Sequence, residues 1–265
     1  MDRKPNYKNW VPTGMVVGFW TGFGVCLLLA ALFGGWGLTS KTIWQIVLFG
    51  VFALGAVVLL PISLYMQTWH NAFSYTGKRK LSKRIVEGVA NYVELTQGQT
   101  CLDIGCGSAA LTIAVAKRNP QSLVVGVDRW GKDYASFSKG LCQANAQAEG
   151  VNNVRFEKGD ATSLPFADET FDAVCSNYVY HNIRSSDRQA ILMETLRTLK
   201  KGGTFAIHDL FTAQKYGDIQ DFMQRLRDLG YQKVELIDTT QGLLMSEKEA
   251  KRLCLTGSAI LTGTK

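Results

Sequence analysis

A chain of 265 residues, 46% hydrophobic and 19% charged, has room for one large domain or for a domain with an accessory element. Its formal charge of +7 is uneven: residues 1–84 carry nine Lys/Arg against one acid, whereas residues 85–265 carry twenty against twenty-one. The basic balance belongs to the first third, and the near-neutral remainder speaks against a nucleic-acid-binding surface.

From Asn9 to Ser40 there is no Asp, Glu, Lys or Arg, and after Lys41 the run Thr42–Gly77 is again free of them. Each run supplies the roughly 20 apolar residues that cross a bilayer core of about 30 Å. The reading is two transmembrane helices, about 13–36 and 43–67, in a membrane anchor of residues 1–77, joined by a short link around Gly34, Gly35, Gly37 and Ser40. Trp10, Trp20, Trp36, Trp44, Tyr65 and Trp69 include several residues near the proposed ends, where interfacial aromatics belong. A cleaved leader is disfavoured, because the first run is too long and a second follows; a buried soluble hairpin is the other alternative. Arg3, Lys4 and Lys8 precede the first helix, Lys78, Arg79, Lys80, Lys83 and Arg84 follow the second, and the link holds only Lys41. That asymmetry puts both ends, and with them the rest of the chain, on the cytoplasmic side of a cell membrane. Gly14, Gly18 and Gly22 make a smooth stripe where the second helix, or the same helix of a second copy in a homodimer, can approach closely. Pro61 predicts a kink.

Residues 78–98 read as an amphipathic connecting helix in which Leu81, Ile85, Val86, Val89 and Val93 share a face. Its basic start suits the headgroups of an anionic leaflet.

Residues 99–265 alternate β-rich and helical stretches. Strands are predicted at 99–104, 123–127, 154–159, 171–176 and 203–209, with helices near 108–118, 132–148, 186–199 and 217–229. This is the pattern of an α/β fold with a parallel sheet and helices on both faces. Two more β-like runs, 233–239 and 257–264, close the chain, and the lack of an ordinary crossover before the last leaves it free to run antiparallel. Between them, the apolar tip Gly242-Leu243-Leu244-Met245 leads into Ser246-Glu247-Lys248-Glu249, a capping-box helix start. The six cysteines form neither a CxxC pair nor a set with zinc-ligand spacing, so no metal is expected, and they suit core packing in a reducing compartment.

The chemistry sits after the first strand, in Cys101-Leu102-Asp103-Ile104-Gly105-Cys106-Gly107-Ser108-Ala109-Ala110. Glycines here let the backbone turn tightly beside a ligand at a helix N-terminus. Gly105, Gly107 and Ala110 also fit a dinucleotide fingerprint, with Asp128 at a distance that suits ribose binding. Asp103 decides between the two. A carboxylate two residues before the first glycine repels a pyrophosphate but attracts the ammonium and sulfonium of S-adenosylmethionine. At about 4 Å and an effective dielectric of about 20, one such pair is worth on the order of 4 kcal/mol before desolvation.

With DIGCG after the first strand, Asp128 closing the second, Gly159-Asp160-Ala161 after the third, FDAVCSN as the fourth and LKKGGTFAIHD into the fifth, residues 96–210 resemble the class I S-adenosylmethionine-dependent methyltransferases. Within that class the GDATSLPFADETFDAV stretch is most similar to the ubiquinone/menaquinone C-methyltransferase-like branch, to which a membrane hairpin is foreign. The resemblance implies a Rossmann-like seven-stranded sheet and S-adenosylmethionine as cofactor. It gives Asp103, Gly105 and Gly107 the methionine part, Asp128 the ribose hydroxyls, Arg129 or Trp130 the flank of the adenine, Asp160 with Ala161 the adenine amino group, and Asn177 a place at the reaction face. The family's third glycine is Ala109 here. It also puts the 242–245 tip and the pre-strand helix near the substrate mouth, where both would dip into the membrane and admit a lipid-soluble substrate.

Methyl transfer is an in-line displacement whose leaving group is already activated, so alignment supplies much of the catalysis. A base is needed where the nucleophile must lose a proton. Tyr178, Tyr180, His181, His208 and Asp209 all lie just past strands four and five, with His181, Tyr178 and Asp209 preferred and His181 first. The alternatives are the same enzyme class acting on a soluble substrate, and a non-catalytic cofactor-binding membrane scaffold.

Overall fold

The computed structural model describes residues 4–34, 43–131, 136–185 and 187–265. It divides into two compact units, one of Lys8–Ser82 and one of Lys83–Lys265 joined by the leading segment through Tyr7.

The first unit is a helical hairpin of α1 (Thr13–Gly34) and α2 (Ile43–Phe73). Both are long and apolar enough to cross a membrane, and in each only 11% of the most apolar window is buried. The predicted link at Gly35, Gly37, Ser40 and Lys41, with Trp36 and Arg3, lies outside the described residues. α2 runs six residues past its expected end, to Phe73, and continues through Pro61. Gln45 Nε2 donates to the Phe33 carbonyl at 2.9 Å, and the Phe33 and Phe52 rings stack at 5.9 Å. Of the glycine stripe, Gly22 meets Leu59 on α2, whereas Gly14 and Gly18 face no neighbour within 4 Å among the described residues.

Most of α3 (Leu81–Ala90), shorter than the predicted connecting helix, belongs to the second unit. Its apolar face does not lie on a surface. Ile85, Val86 and Val89, with Val93 beyond the helix, are at most 2% exposed, because this face completes the core of the unit. The tip at 242–245 is half interior: Leu244 and Met245 are buried, whereas Gly242 and Leu243 are exposed. Arg84 Nη2 donates to the Gly242 and Leu243 carbonyls at 3.3 and 3.1 Å.

Seven strands follow: β1 (Thr100–Ile104), β2 (Leu123–Asp128), β3 (Val154–Lys158), β4 (Phe171–Asn177), β5 (Leu199–Leu210), β6 (Gln232–Asp238) and β7 (Ser258–Thr264). They form one sheet in the order β3-β2-β1-β4-β5-β7-β6. β1 to β5 pair in parallel, and β7 runs antiparallel to both β5 and β6, as the missing crossover allowed. The helices are α4 (Ala110–Arg118), α5 (Lys139–Ala148), α6 (Arg188–Arg197), α7 (Ala213–Tyr216), α8 (Ile219–Asp228) and α9 (Glu247–Arg252). Side-chain oxygens of Ser138, Asp187, Asp218 and Ser246 cap α5, α6, α8 and α9, satisfying N–H groups that the first turn leaves unpaired. Leu102, Val125, Val174, Ile207 and Leu261 from the central strands pack with Leu192, Leu196, Phe222 and Leu226 in a continuous core.

Candidate active site

The parallel strands β1 to β5 present their C-terminal ends at one edge, where open α/β sheets bind ligands. At the end of β1 the chain turns through Gly105 (φ +70°) and Gly107 (φ +54°) into α4. A Cβ on Gly105 would also stand 2.4 Å from Val179 Cγ2, so both backbone conformation and space demand glycine there. Ala109 takes the left-handed conformation too, at φ +68° and fully buried, at a cost of about 1–2 kcal/mol.

Several neighbours pin this loop. Asp128 accepts from the Gly107 N–H at 2.9 Å and from the Trp130 N–H at 2.7 Å. The Trp130 indole N–H and the Cys142 thiol both donate to the Gly107 carbonyl at 3.1 Å. Asn145, one turn beyond Cys142 on α5, donates to the Ser108 carbonyl at 2.9 Å. Neither α5 residue carries a sequence signal, since lone Cys and Asn residues on a helix are ordinary.

Beneath the loop, Asp103 is 1% exposed and accepts from Thr112 Oγ1 at 2.6 Å. Burial pushes its carboxyl up to about 7, against the pull of the Thr112 hydrogen bond and with added repulsion from Asp128. Past β3, Asp160 Oδ1 accepts from the Thr162 N–H (2.9 Å) and hydroxyl (2.7 Å), and Arg129 Nη1 lies 4.0 Å from Oδ2. The Thr162 hydrogen bonds, more than Arg129, hold the Asp160 carboxyl below the usual range. Ala161 packs against the core beside it.

The ends of β4 and β5 build a second cluster. Val179, which packs on Gly105, ties it to the glycine loop. The 3-10 turn Tyr180–Asn182, which the sequence reading did not foresee, brings His181 Nδ1 to 2.6 Å from Asp209 Oδ1. Asp209 is fully buried. It also accepts from the backbone N–H groups of Tyr180 (2.9 Å), His181 (3.3 Å) and Leu210 (2.6 Å). A carboxylate here takes the Nδ1–H, which leaves Nε2 as the acceptor of the neutral ring.

The other candidates are occupied elsewhere. His208 is fully buried, with Nδ1 on Asn177 Oδ1 at 2.8 Å and Nε2 on Ser258 Oγ at 2.9 Å. Burial drives its pKa down to about 3, Asp209 opposing and His181 reinforcing, so the ring is neutral and donates from one nitrogen while accepting at the other. The Tyr178 hydroxyl is 2.6 Å from Ser258 Oγ, its ring lies 4.5 Å from that of His208, and its backbone is left-handed (φ +56°). The Tyr180 hydroxyl pairs with Thr195 Oγ1 at 2.8 Å. Burial pushes both phenols up, away from a role as base near neutral pH. His181, oriented by Asp209, is the group best placed to take a proton.

The family model described as "Methyltransferase domain" matches residues 95–253. The uncharacterized methyltransferase YcgJ of Bacillus subtilis is 28% identical over 151 residues, 56% of each chain. A demethylmenaquinone methyltransferase of Staphylococcus carnosus is 30% identical over 148 residues, 55% of this chain and 56% of that one. A 2-phytyl-1,4-naphtoquinone methyltransferase of Thermosynechococcus vestitus is 33% identical over 135 residues, 51% and 56% of the two chains. The chain thus spans little more than half the length of these curated relatives. Among solved structures, the [4+2]-cyclase SpnF is similar with a TM-score of 0.53 at 21% identity, over 69% of this chain and 81% of that one. A geranyl diphosphate methyltransferase gives 0.52 at 15%, over 68% and 76%. These two likenesses show the fold.

Proposed function

The chain belongs to the Methyltransferase domain family, and from that premise we propose that it moves the methyl group of S-adenosylmethionine to a lipid-soluble acceptor at the cytoplasmic face of a membrane. The family fold alone does not decide the reaction, since a cyclase shares it. The observation that carries the proposal is Asp103, a buried acid under the glycine loop whose ionised form needs a cation. The loop offers the rest of a cradle: a Cβ on Gly107 would meet nothing nearer than 3.9 Å. Asp103, Gly105 and Gly107 would hold the methionine part, Asp128 the ribose, and Arg129, Trp130, Asp160 and Ala161 the adenine, with Asn177 facing the reaction. When bound, S-adenosylmethionine supplies a methyl group on a positively charged sulfur. Asp209 orients His181, whose Nε2 accepts the proton of an acceptor that must lose one.

The membrane part of the reading rests on the hairpin. A core helix of a soluble protein is mostly buried, whereas these two leave most of their apolar windows uncovered. The basic flanks orient the pair with both ends in the cytoplasm. The quinone methyltransferases among the relatives support an acceptor of lipid character.

Full-length protein given methyl-labelled S-adenosylmethionine and total membrane lipid should pass label to the organic phase. Label found only in water-soluble products would refute the lipid acceptor, and no transfer to any fraction would refute the enzyme. Asp160→Ala should weaken cofactor binding by about 1–3 kcal/mol, the usual cost of leaving a buried polar partner unpaired. Unchanged affinity in a titration would show that the adenine lies elsewhere.

A further inference from the structure

The residues ahead of the hairpin pack with the catalytic unit. The Asn6 N–H donates to Asn145 Oδ1 at 2.7 Å, and Asn145 Nδ2 donates back to the Asn6 carbonyl at 3.0 Å. This two-point pairing reads only the backbone of residue 6, as a neighbouring strand would. Tyr7 is 7% exposed. Its carbonyl accepts from Ser108 Oγ at 2.9 Å, and its hydroxyl donates to Glu149 Oε1 at 2.9 Å. Burial pushes the Glu149 carboxyl up, but Lys117 and Tyr7 outweigh that and hold it below its usual range. Asn145 is itself 2% exposed, and its amide also reaches the Ser108 carbonyl. One side chain therefore joins the leading segment to the middle of the glycine loop.

The loop needs such a hold. Gly105, Gly107 and Ala109 all take left-handed backbone conformations. Glycine loses more freedom on ordering than any other residue, and Ala109 is strained there. Ala109 also gives α4 no side-chain cap. Ser108 is the handle between these residues, and both its hydroxyl and its carbonyl are held by the strap and its clasp.

We propose that Asn6 and Tyr7 form a strap that keeps the glycine loop in its cofactor-binding shape, with Asn145 as the positioning residue that transmits the hold. The inference rests on the reading of this loop as the S-adenosylmethionine site. It makes cofactor affinity depend on the segment that leads into the hairpin.

The test is S-adenosylmethionine affinity and turnover of the full chain in detergent. Asn145→Ala removes all three hydrogen bonds. Asn6→Pro removes the N–H that Asn145 Oδ1 accepts, together with the Asn6 side chain, and near the chain end it leaves the sheet intact. Affinity should fall at least tenfold in Asn145→Ala and severalfold in Asn6→Pro, with turnover at saturating cofactor within twofold of wild type. The double variant should bind no more weakly than Asn145→Ala alone, because both act through one contact. Backbone amide exchange at Ser108 and Ala109 should quicken in both. Wild-type affinity and exchange in Asn6→Pro, or strictly additive losses, would overturn the strap, and these outcomes hold even if Asn145→Ala does not fold. A wild-type chain that takes up no S-adenosylmethionine would remove the site reading and the strap together; normal uptake by wild type with unaltered variants would remove the strap alone.

Discussion

Asp103→Asn is expected to abolish S-adenosylmethionine binding while making the cofactor-free catalytic unit more stable above neutral pH. Burial raises the Asp103 pKa from 3.8 to about 7. A raised acid holds its proton in the folded state after the unfolded chain has released it, so its effect on stability is unfavourable as pH rises. The loss begins near pH 4, grows to about pH 7 and stays constant above, on the order of 4 kcal/mol for a shift of about three units. Asparagine has no such titration and keeps an acceptor for Thr112 Oγ1, now 2.6 Å from the carboxylate. Urea unfolding at pH 8 should therefore show a higher midpoint for the variant, with the difference vanishing near pH 4. Cofactor should stabilise wild type only, and its affinity should tighten as pH rises from 5.5 towards 7, as proton competition fades. A variant that binds cofactor within tenfold of wild type, or that unfolds more easily at pH 8, would show that the carboxylate is not the cation's partner.

The second large effect is expected at His181. Its alanine variant should lose 10²- to 10⁴-fold in turnover, the usual range for a general base, with cofactor affinity within twofold of wild type. Asp209→Asn should also lose at least about 10²-fold, because an amide at that position favours the wrong imidazole tautomer. Asparagine is the informative replacement, since its one carbonyl oxygen can keep the Tyr180 and His181 N–H groups that Asp209 Oδ2 accepts, whereas alanine would strand these and the Leu210 N–H alike. Full turnover in His181→Ala would mean that the ring is only a hydrogen-bonded prop for the β4–β5 edge.

Much of this site was legible because the sheet order is written in the strands. Asp103, Asp128, Asp160 and Asn177 each follow or end an apolar run, so alternation alone puts them at one edge. His181 and Asp209 were placed there separately; their pairing needed the 3-10 turn, which three residues announce too weakly to read. The start of β5 was set four residues late, at Gly203 instead of Leu199, because Gly202-Gly203 reads as a break. In the fold a Cβ at Gly203 would come 2.7 Å from the Asp172 carbonyl, so glycine there marks close strand approach. The Ser138 hydroxyl sets the start of α5 at Lys139, so residues 136–138 of the predicted helix fall outside it, and 132–135 lie outside the described residues. The period of α3 was right but its surroundings were not, since amphipathicity tells which face is apolar and not whether lipid or protein covers it. The pairing of Asn145 with Asn6 was invisible because Asn145 recognises the backbone of residue 6, and every residue has one.

The arrangement of the leading segment also constrains biosynthesis. Residues up to Tyr7 are made before the hairpin, yet their partners Ser108, Asn145 and Glu149 are made only after it. The strap can therefore close only after both apolar helices and α5 have been synthesised. On the proposed membrane topology it closes only if the two ends of the hairpin come back to the same compartment. A chain that threads one helix and leaves the other behind would strand its first residues across the bilayer from Asn145. On that topology, correct insertion becomes a condition for a closed strap, and a mis-threaded copy holds its cofactor more weakly without any separate inspection.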